Sequence, residues 1–155
     1  MLHLIPAPLH RLGLQWAHRV RRQFRKIVRP DLFGVAVLLR DEAGRVLLVR
    51  HSYGPDGWAL PGGGIGRHDD PAEGARREMR EELGCELQEL ALLRTFSEAI
   101  SGAAHTGHLF TARPAREPVV DGRELAEARW FVVEELAAAR LTRVTRERLA
   151  AVGLL

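Results

Sequence analysis

Three glutamates lie close together in the segment "REMREELGC", residues 77–85. Glu78, Glu81 and Glu82 stand at i, i+3 and i+4, so a helix would place them on one side with Cβ atoms about 5–6 Å apart. Like charges at this spacing destabilise a helix, and a bound cation would offset the repulsion. Because the cluster contains neither His nor Cys, its hard oxygen ligands suit Mg²⁺ or Mn²⁺.

A salt-bridged surface helix is the alternative interpretation of these acids. Arg77 is spaced to pair with Glu73 or Glu81, and Arg80 is also near. The residues just before the helix favour a binding site, because four of the five residues 62–66 are glycine. Glycine lets the main chain approach a ligand closely. The segment therefore predicts a ligand beside the glutamates.

Local signals define the helix that carries the acids. Asp70 is a typical N-cap, Pro71 suits the first helical position, and Glu73 would complete a capping box. Gly84 is the expected residue just beyond the end. The pattern predicts a helix over residues 71–83, whose core-facing residues are Ala72, Ala75, Met79 and Leu83.

The whole segment resembles the Nudix box. Gly63 is followed after five residues by Asp69, and after seven more by the "REMREELGC" segment. Asp69 stands where the family has Glu, and Gly66 stands where many members carry an acid. These departures bear on loop geometry and metal affinity, but neither touches the three helix glutamates, so activity is still expected. The resemblance covers residues 31–155, predicted to form one Nudix hydrolase domain, and leaves residues 1–30 as an extension.

The resemblance implies an α/β fold, an α/β/α sandwich with a mixed β-sheet. It also implies divalent-metal-dependent hydrolysis of a pyrophosphate bond, with water attacking phosphorus. Glu78 and Glu82 would hold Mg²⁺ or Mn²⁺, the Gly63 carbonyl would complete a metal shell, and Glu81 would be a further ligand or the base. Arg77 would orient the glutamates.

Further site residues follow from the same resemblance. A fourth acid comes from a loop after the box in many members; Asp121, Glu124 and Glu127 are the candidates, and Glu124 is our choice. Gly62, Gly63, Gly64 and Trp58 are the predicted substrate-binding residues. The alternative for Trp58 is that its ring packs against the sheet.

The substrate class stays open. The proline found beyond the box in many ADP-ribose hydrolases is replaced by Ile100 and Ser101, and the chain's one tyrosine is Tyr53. The expected substrate is therefore a small nucleotide, either a nucleoside diphosphate linked to another group or a nucleoside triphosphate. A nucleotide-binding sensor or interaction module on the same scaffold is the alternative function. The retained glutamates favour the enzyme.

Elements around the box read as strands and short helices. The runs "LFGVAVLLRD" and "RVLLVR" are predicted strands joined by a tight turn at "DEAG", and the first is apolar enough to be covered on both faces. Further strands are predicted in "ELQELALLRTF", "GHLFTAR" and "ARWFVV". Short helices are predicted in "VEELAAAR" and "TRVTRERLAAVGLL".

The charge of the chain is unevenly distributed. Residues 1–30 contain seven Lys and Arg and no acid, although the whole chain has 23 Lys and Arg against 20 Asp and Glu. Residues 8–29 are predicted to form a basic amphipathic helix, docking either on the domain or on a second subunit. Contact with a membrane surface through residues 8–29 is an alternative. Nucleic acid is an unlikely partner because recognition motifs are missing.

Composition narrows the remaining choices. A chain of 155 residues fits one domain, and its single cysteine excludes a disulfide framework. The single lysine lies outside the glycine loop, which excludes a Walker A motif. Since no apolar run is long enough to span a membrane, we expect a cytoplasmic protein. A homodimer is a further expectation from the family resemblance.

Overall fold

The computed structural model describes residues 33–100 and 102–155. The predicted N-terminal helix and extension, residues 1–30, lie outside the described residues. Within the described ranges, the strands are β1 Phe33–Leu39, β2 Val46–His51, β3 Gly62–Gly64, β4 Leu87–Ile100, β5 Ala103–Pro114 and β6 Leu125–Phe131; the helices are α1 Pro71–Leu83, α2 Val133–Leu136 and α3 Arg143–Ala151. None of these helices has the length and apolarity needed to cross a lipid bilayer.

The strands form two sheets. A mixed sheet has the order β3-β1-β5-β4, in which β1 is parallel to β5 and antiparallel to β3, while β2 and β6 form an antiparallel pair. The predicted turn between β1 and β2 is present, since the Gly44 N–H donates to the Asp41 carbonyl at 3.1 Å. The two strands nevertheless share only the bridge between Arg40 and Val46. Both edges of β1 are already bonded to β3 and β5, so β2 pairs elsewhere.

Two hydrophobic clusters cover the opposite faces of β1. Val35, Val37 and Leu39 pack with Met79 of α1, whereas Leu38 packs with Leu149 of α3. The prediction that β1 is covered on both faces is confirmed. The helices on both sides of the mixed sheet likewise confirm the predicted α/β sandwich.

Helix α1 begins and ends at the predicted residues. The Asp70 carboxylate accepts from the Ala72 N–H at 3.0 Å, and Gly84 ends the helix with a left-handed backbone, φ 60°. The capping box predicted for Glu73 is replaced by an ion pair to Arg76 at 3.6 Å. In a capping box, the N-cap side chain accepts from the N–H of the third helical residue, which is Glu73 here. Asp70 instead accepts from the N–H of Ala72, the second helical residue. The predicted core face is present: Ala75, Met79 and Leu83 are buried, and Ala72 packs against the cluster they form.

Cys85 follows α1 and is buried in the same cluster as Met79. Burial raises the pKa of its thiol to about 11. The pKa of the thiol in the folded protein lies above its unfolded value of about 8.5. Burial of the neutral thiol therefore stabilises the folded state fully below about pH 8.5, and this stabilisation is lost as the pH rises toward 11.

Cys85 should therefore resist alkylation in the native protein at pH 8. The thiolate is the reactive form, and both burial and the raised pKa suppress it. Intact-mass spectrometry after iodoacetamide treatment should show one added group in urea and almost none without it. Rapid labelling of the folded protein would contradict the described burial.

Candidate active site

The glycine strand β3 lies tightly against β1. Gly62 pairs with Ala36, and Gly63 pairs with Val35. A Cβ atom at Gly62 would overlap the Val35 carbonyl oxygen and lie 2.8 Å from the Cα of Ala36. Only glycine therefore permits β3 to reach its register on β1, which fixes the glycine loop relative to α1.

The carboxylate of Glu78 lies directly against the next glycine. A Cβ atom at Gly63 would lie 2.6 Å from the Glu78 carboxyl carbon, well inside van der Waals contact. Glu78 has no solvent exposure. Burying a carboxylate is costly unless it is paired or binds a metal, and the Arg77 guanidinium supplies one such pairing at 3.6 Å.

Arg77 connects the glycine strand to the helix. Its guanidinium lies 3.6 Å from Oε1 of Glu78 and donates to the Gly64 carbonyl at 3.4 Å. This contact is what the predicted orienting role of Arg77 requires. Arg77 also lies 3.9 Å from Oδ2 of Asp69.

Asp69 closes the loop between β3 and α1. Its Oδ2 accepts from the Gly66 N–H at 2.7 Å and lies 3.9 Å from Nη1 of Arg77. The side chain is shorter than the family glutamate but still links the loop to the helix. The substitution therefore preserves the brace between them.

The other two glutamates of α1 differ in environment. Glu82 is buried, with 2% exposure, and Glu81 is exposed. Both line a cavity of about 450 Å³ at the end of α1. Its other lining residues include Arg80, Arg116 and Asp121.

The three glutamates are not gathered into one cluster. Across residues 33–100 and 102–155, no three His, Cys, Asp or Glu side chains lie together at metal-binding spacing. Glu78 faces the glycine strand, while Glu81 reaches solvent at the cavity. The convergence of all three on metal stays a prediction.

The loop before β6 carries the candidates for a fourth acid. Asp121 lines the 450 Å³ cavity with Glu81 and Glu82. Its Oδ1 accepts the backbone N–H groups of Arg123 and Glu124 at 2.9 and 3.2 Å. Glu124 is not among the residues that line this cavity.

Glu124 and Glu127 have other surroundings. The Glu124 carbonyl accepts from the Ser52 N–H at 3.0 Å, and Glu127 forms an ion pair with Arg50 at 3.1 Å. The structure thus places Asp121 in the lining of the cavity that Glu81 and Glu82 also line, and our choice of Glu124 stays a prediction. The Asp-Gly dipeptide at residues 121–122 is an available sequence signal for the turn that Asp121 caps.

Trp58 packs within the protein. Its ring meets Phe131 edge-on at 5.1 Å between centroids, and the Arg50 guanidinium lies 5.7 Å from the ring centroid. Its backbone N–H donates to the Arg140 carbonyl at 2.8 Å. These contacts support the packing alternative for Trp58.

A second cavity lies on the opposite face of the mixed sheet, with a volume of about 200 Å³. Arg148 of α3 lines it and is buried. Sequence reasoning did not select Arg148, although an arginine beside Leu149 on the apolar face of the helix is an available signal.

The family model of the NUDIX domain matches residues 31–152. Together with the fold and the box residues, this match shows that the chain belongs to the Nudix family. The solved structure of a MutT NUDIX hydrolase from Burkholderia pseudomallei is similar, with a TM-score of 0.66 and 27% identity, over 76% of this chain and 95% of that one.

Two curated relatives also match. The CMP-5'-(N-acetyl-N-hydroxy-3-aminopropyl)phosphonate hydrolase of Streptomyces rubellomurinus is 32% identical over 77% of this chain and 60% of its own length. An RNA pyrophosphohydrolase of Rhodospirillum rubrum is 41% identical, but over 36% of this chain and 33% of its own length. The chain therefore spans less than two thirds of either relative.

Replacing Gly63 with alanine should damage both stability and activity. The added methyl group would overlap the buried Glu78 carboxylate, and overpacking of this kind costs about 1–3 kcal/mol. The melting temperature and the initial rate of nucleotide hydrolysis should both fall. Gly34→Ala is a matched control for stability, since a Cβ at Gly34 makes ordinary contacts of 3.5 Å or more. Equal melting temperatures for the two variants would contradict the described contact.

Proposed function

We propose that the protein is a divalent-metal-dependent pyrophosphohydrolase. Its substrate would be a nucleoside diphosphate linked to another group, or a nucleoside triphosphate. The observation that carries the proposal is the buried pair Glu78 and Glu82, one turn apart on α1, with Glu78 against the glycine strand. Membership of the Nudix family supports the same conclusion.

The donor set fits Mg²⁺ or Mn²⁺. Carboxylates of Glu78 and Glu82 and the Gly63 carbonyl are hard oxygen ligands, and Glu81 is the further acid. Magnesium usually binds through one or two protein carboxylates plus substrate phosphates, so a preassembled cluster of three acids is not required. When bound, the ion would neutralise the diphosphate and lower the pKa of a water ligand.

The surrounding side chains have distinct tasks in this proposal. Glu81 is an exposed acid on α1 and would accept the proton of the attacking water. Arg77 holds Glu78 against the glycine strand through contacts at 3.6 and 3.4 Å. Arg80 and Arg116 line the cavity with Glu81; Arg80 pairs with Glu86 at 3.3 Å, and Arg116 donates to the Gly84 carbonyl at 2.8 Å.

The named relatives support a linked nucleotide as the substrate class. The Streptomyces enzyme is named for hydrolysis of a CMP-linked phosphonate, in which a nucleoside monophosphate is joined to a second phosphorus group. The match to RNA pyrophosphohydrolases covers about a third of the chain, so we do not extend the proposal to RNA. Retention of all three helix glutamates, Glu78, Glu81 and Glu82, disfavours the sensor alternative.

Changing Glu81 to Gln should abolish turnover while the fold persists. Loss of a general base lowers kcat by about 10²–10⁴-fold, and an exposed side chain contributes little to stability. The rate would be followed as release of nucleoside monophosphate, by mass spectrometry with Mg²⁺ or Mn²⁺. Glu73→Gln is the matched control, because Glu73 is exposed on the same helix. Unchanged turnover in the Glu81 variant would refute its role.

The fourth acid can be tested by comparing Asp121→Asn with Glu124→Gln. We expect the Asp121 variant to lose metal-dependent turnover by at least about tenfold, since second ligands of this kind commonly have effects of 10–100-fold. The Glu124 variant should stay within about twofold of wild type. The reverse order would restore Glu124 as the fourth acid.

A further inference from the structure

Residues 115–119, which we call the strap, lie against the C-terminal end of α1. The Val119 N–H donates to the Leu83 carbonyl at 2.9 Å, and the Ala115 N–H donates to the Glu86 carbonyl at 2.9 Å. The last carbonyls of a helix have no partner within the helix and must be bonded elsewhere. The strap therefore supplies donors both to the end of α1 and to the segment that follows it.

Arg116 adds a side-chain contact between the strap and α1. Its Nε donates to the Gly84 carbonyl at 2.8 Å, and its Nη2 donates to the same oxygen. Gly84 is the C-cap of α1, where a nearby cation interacts favourably with the helix dipole. The rigid, planar guanidinium holds both N–H groups in a fixed geometry, which the flexible ammonium group of lysine does not reproduce.

The strap is also attached to β6. The indole N–H of Trp130 donates to Oε1 of Glu117 at 2.9 Å, and Trp130 packs against the hydrophobic cluster that contains Met79. Burial does not hold the far end of the strap, because Val119 is 68% exposed. Hydrogen bonds to α1 and β6 therefore fix its position.

The part of α1 that the strap contacts carries two of the site's glutamates. Glu82 directly precedes Leu83, whose carbonyl accepts from the strap, and Glu81 is one residue earlier. Arg116 and Glu117 line the same 450 Å³ cavity as these acids. The ends of helices fray, and fraying of this turn would displace both carboxylates. The contacts of the strap therefore affect the geometry of the site.

We propose that the strap positions the last turn of α1, and that Arg116 is the positioning residue for Glu81 and Glu82. Arg116 acts through its contact with the backbone of α1, and Glu117 acts by attaching the strap to Trp130. Neither side chain touches the metal or the substrate in this role. The inference rests on the proposed pyrophosphohydrolase function, because it assigns a task to residues around the same acids.

Hydrogen exchange of the last turn tests the contact without metal or substrate. Arg116→Lys keeps the positive charge but loses the paired Nε and Nη2 contacts. Hydrogen–deuterium exchange mass spectrometry should therefore show faster exchange across residues 79–86 in this variant. Arg113→Lys is the matched control, because Arg113 lies just before the strap and pairs with the exposed Glu42 at 3.8 Å. Unchanged exchange in Arg116→Lys would overturn the proposal, whether or not the protein is an enzyme.

Mn²⁺ binding separates positioning from stabilisation alone. In electron paramagnetic resonance titrations, Arg116→Lys should lower Mn²⁺ affinity by about tenfold, since residues that orient metal ligands commonly have effects of about 10–100-fold. At saturating metal, kcat should fall while KM for the nucleotide is unchanged, because Arg116 does not bind the substrate in this proposal. Faster exchange with unchanged Mn²⁺ affinity would leave Arg116 a stabilising contact only and would overturn its positioning role.

Glu117 offers a second pair of variants if Arg116→Lys fails to fold. Glu117→Ala removes the acceptor of the Trp130 N–H, so exchange of the last turn should be faster and Mn²⁺ affinity lower. Glu117→Gln keeps an oxygen that can accept this N–H and should restore both to the wild-type level. Equal losses of affinity in the two variants would make the Glu117 carboxylate itself a metal ligand and overturn its role as an attachment.

The same experiments distinguish failure of this inference from failure of the proposed function. Faster exchange in Arg116→Lys and Glu117→Ala, in a protein that neither binds Mn²⁺ nor hydrolyses nucleotides, would support the strap and count against the proposed function alone. Normal metal binding and hydrolysis in both variants would overturn the inference and leave the hydrolase standing.

Discussion

The contact between the Gly63 backbone and the buried Glu78 carboxylate is the constraint on which the site depends. It requires a strand without side chains, held to β1 at a register that only glycine allows at position 62. It also requires α1 to start at a fixed point, which Asp70 and Pro71 provide. A carboxylate buried in this position is costly in isolation. Burial of hydrophobic residues elsewhere in the fold must therefore offset the free-energy cost of burying this carboxylate.

Strand β1 organises the two sides of the molecule. Its alternating side chains enter separate hydrophobic clusters, one under α1 and one under α3. Each layer also contains buried charge: Glu78 and Glu82 on α1, and Arg148 on α3.

The parts that could be predicted from sequence depend on local signals. Helix α1 and its core face follow from capping residues and periodicity within 13 residues. Arg77 was correctly expected near the glutamates because the box spacing is local. Family membership followed from the same segment. Predicting these features does not require knowing how the strands pair.

Contacts between residues that are far apart in the sequence could not be predicted from such local signals. The separation of β2 from β1 depends on both edges of β1 being occupied by distant strands. The partner of Arg148 is Glu98, 50 residues away, and neither position carries a local motif. Glu124 was our choice from the sequence, and only the path of the loop before β6 shows that Asp121 lines the cavity with Glu81 and Glu82. Trp58 had both a substrate-binding and a packing interpretation from the sequence, and its contact with Phe131 supports the packing one.

Binding of Mn²⁺ tests the central claim most directly, because it needs no substrate. Electron paramagnetic resonance titration would compare the wild type with Glu78→Gln, and with Glu73→Gln as a control on the same helix. We predict that the Glu78 variant loses at least about tenfold in affinity, while the control binds as the wild type does. Equal Mn²⁺ affinity in all three proteins would contradict the claim that the buried carboxylates of α1 form a metal site.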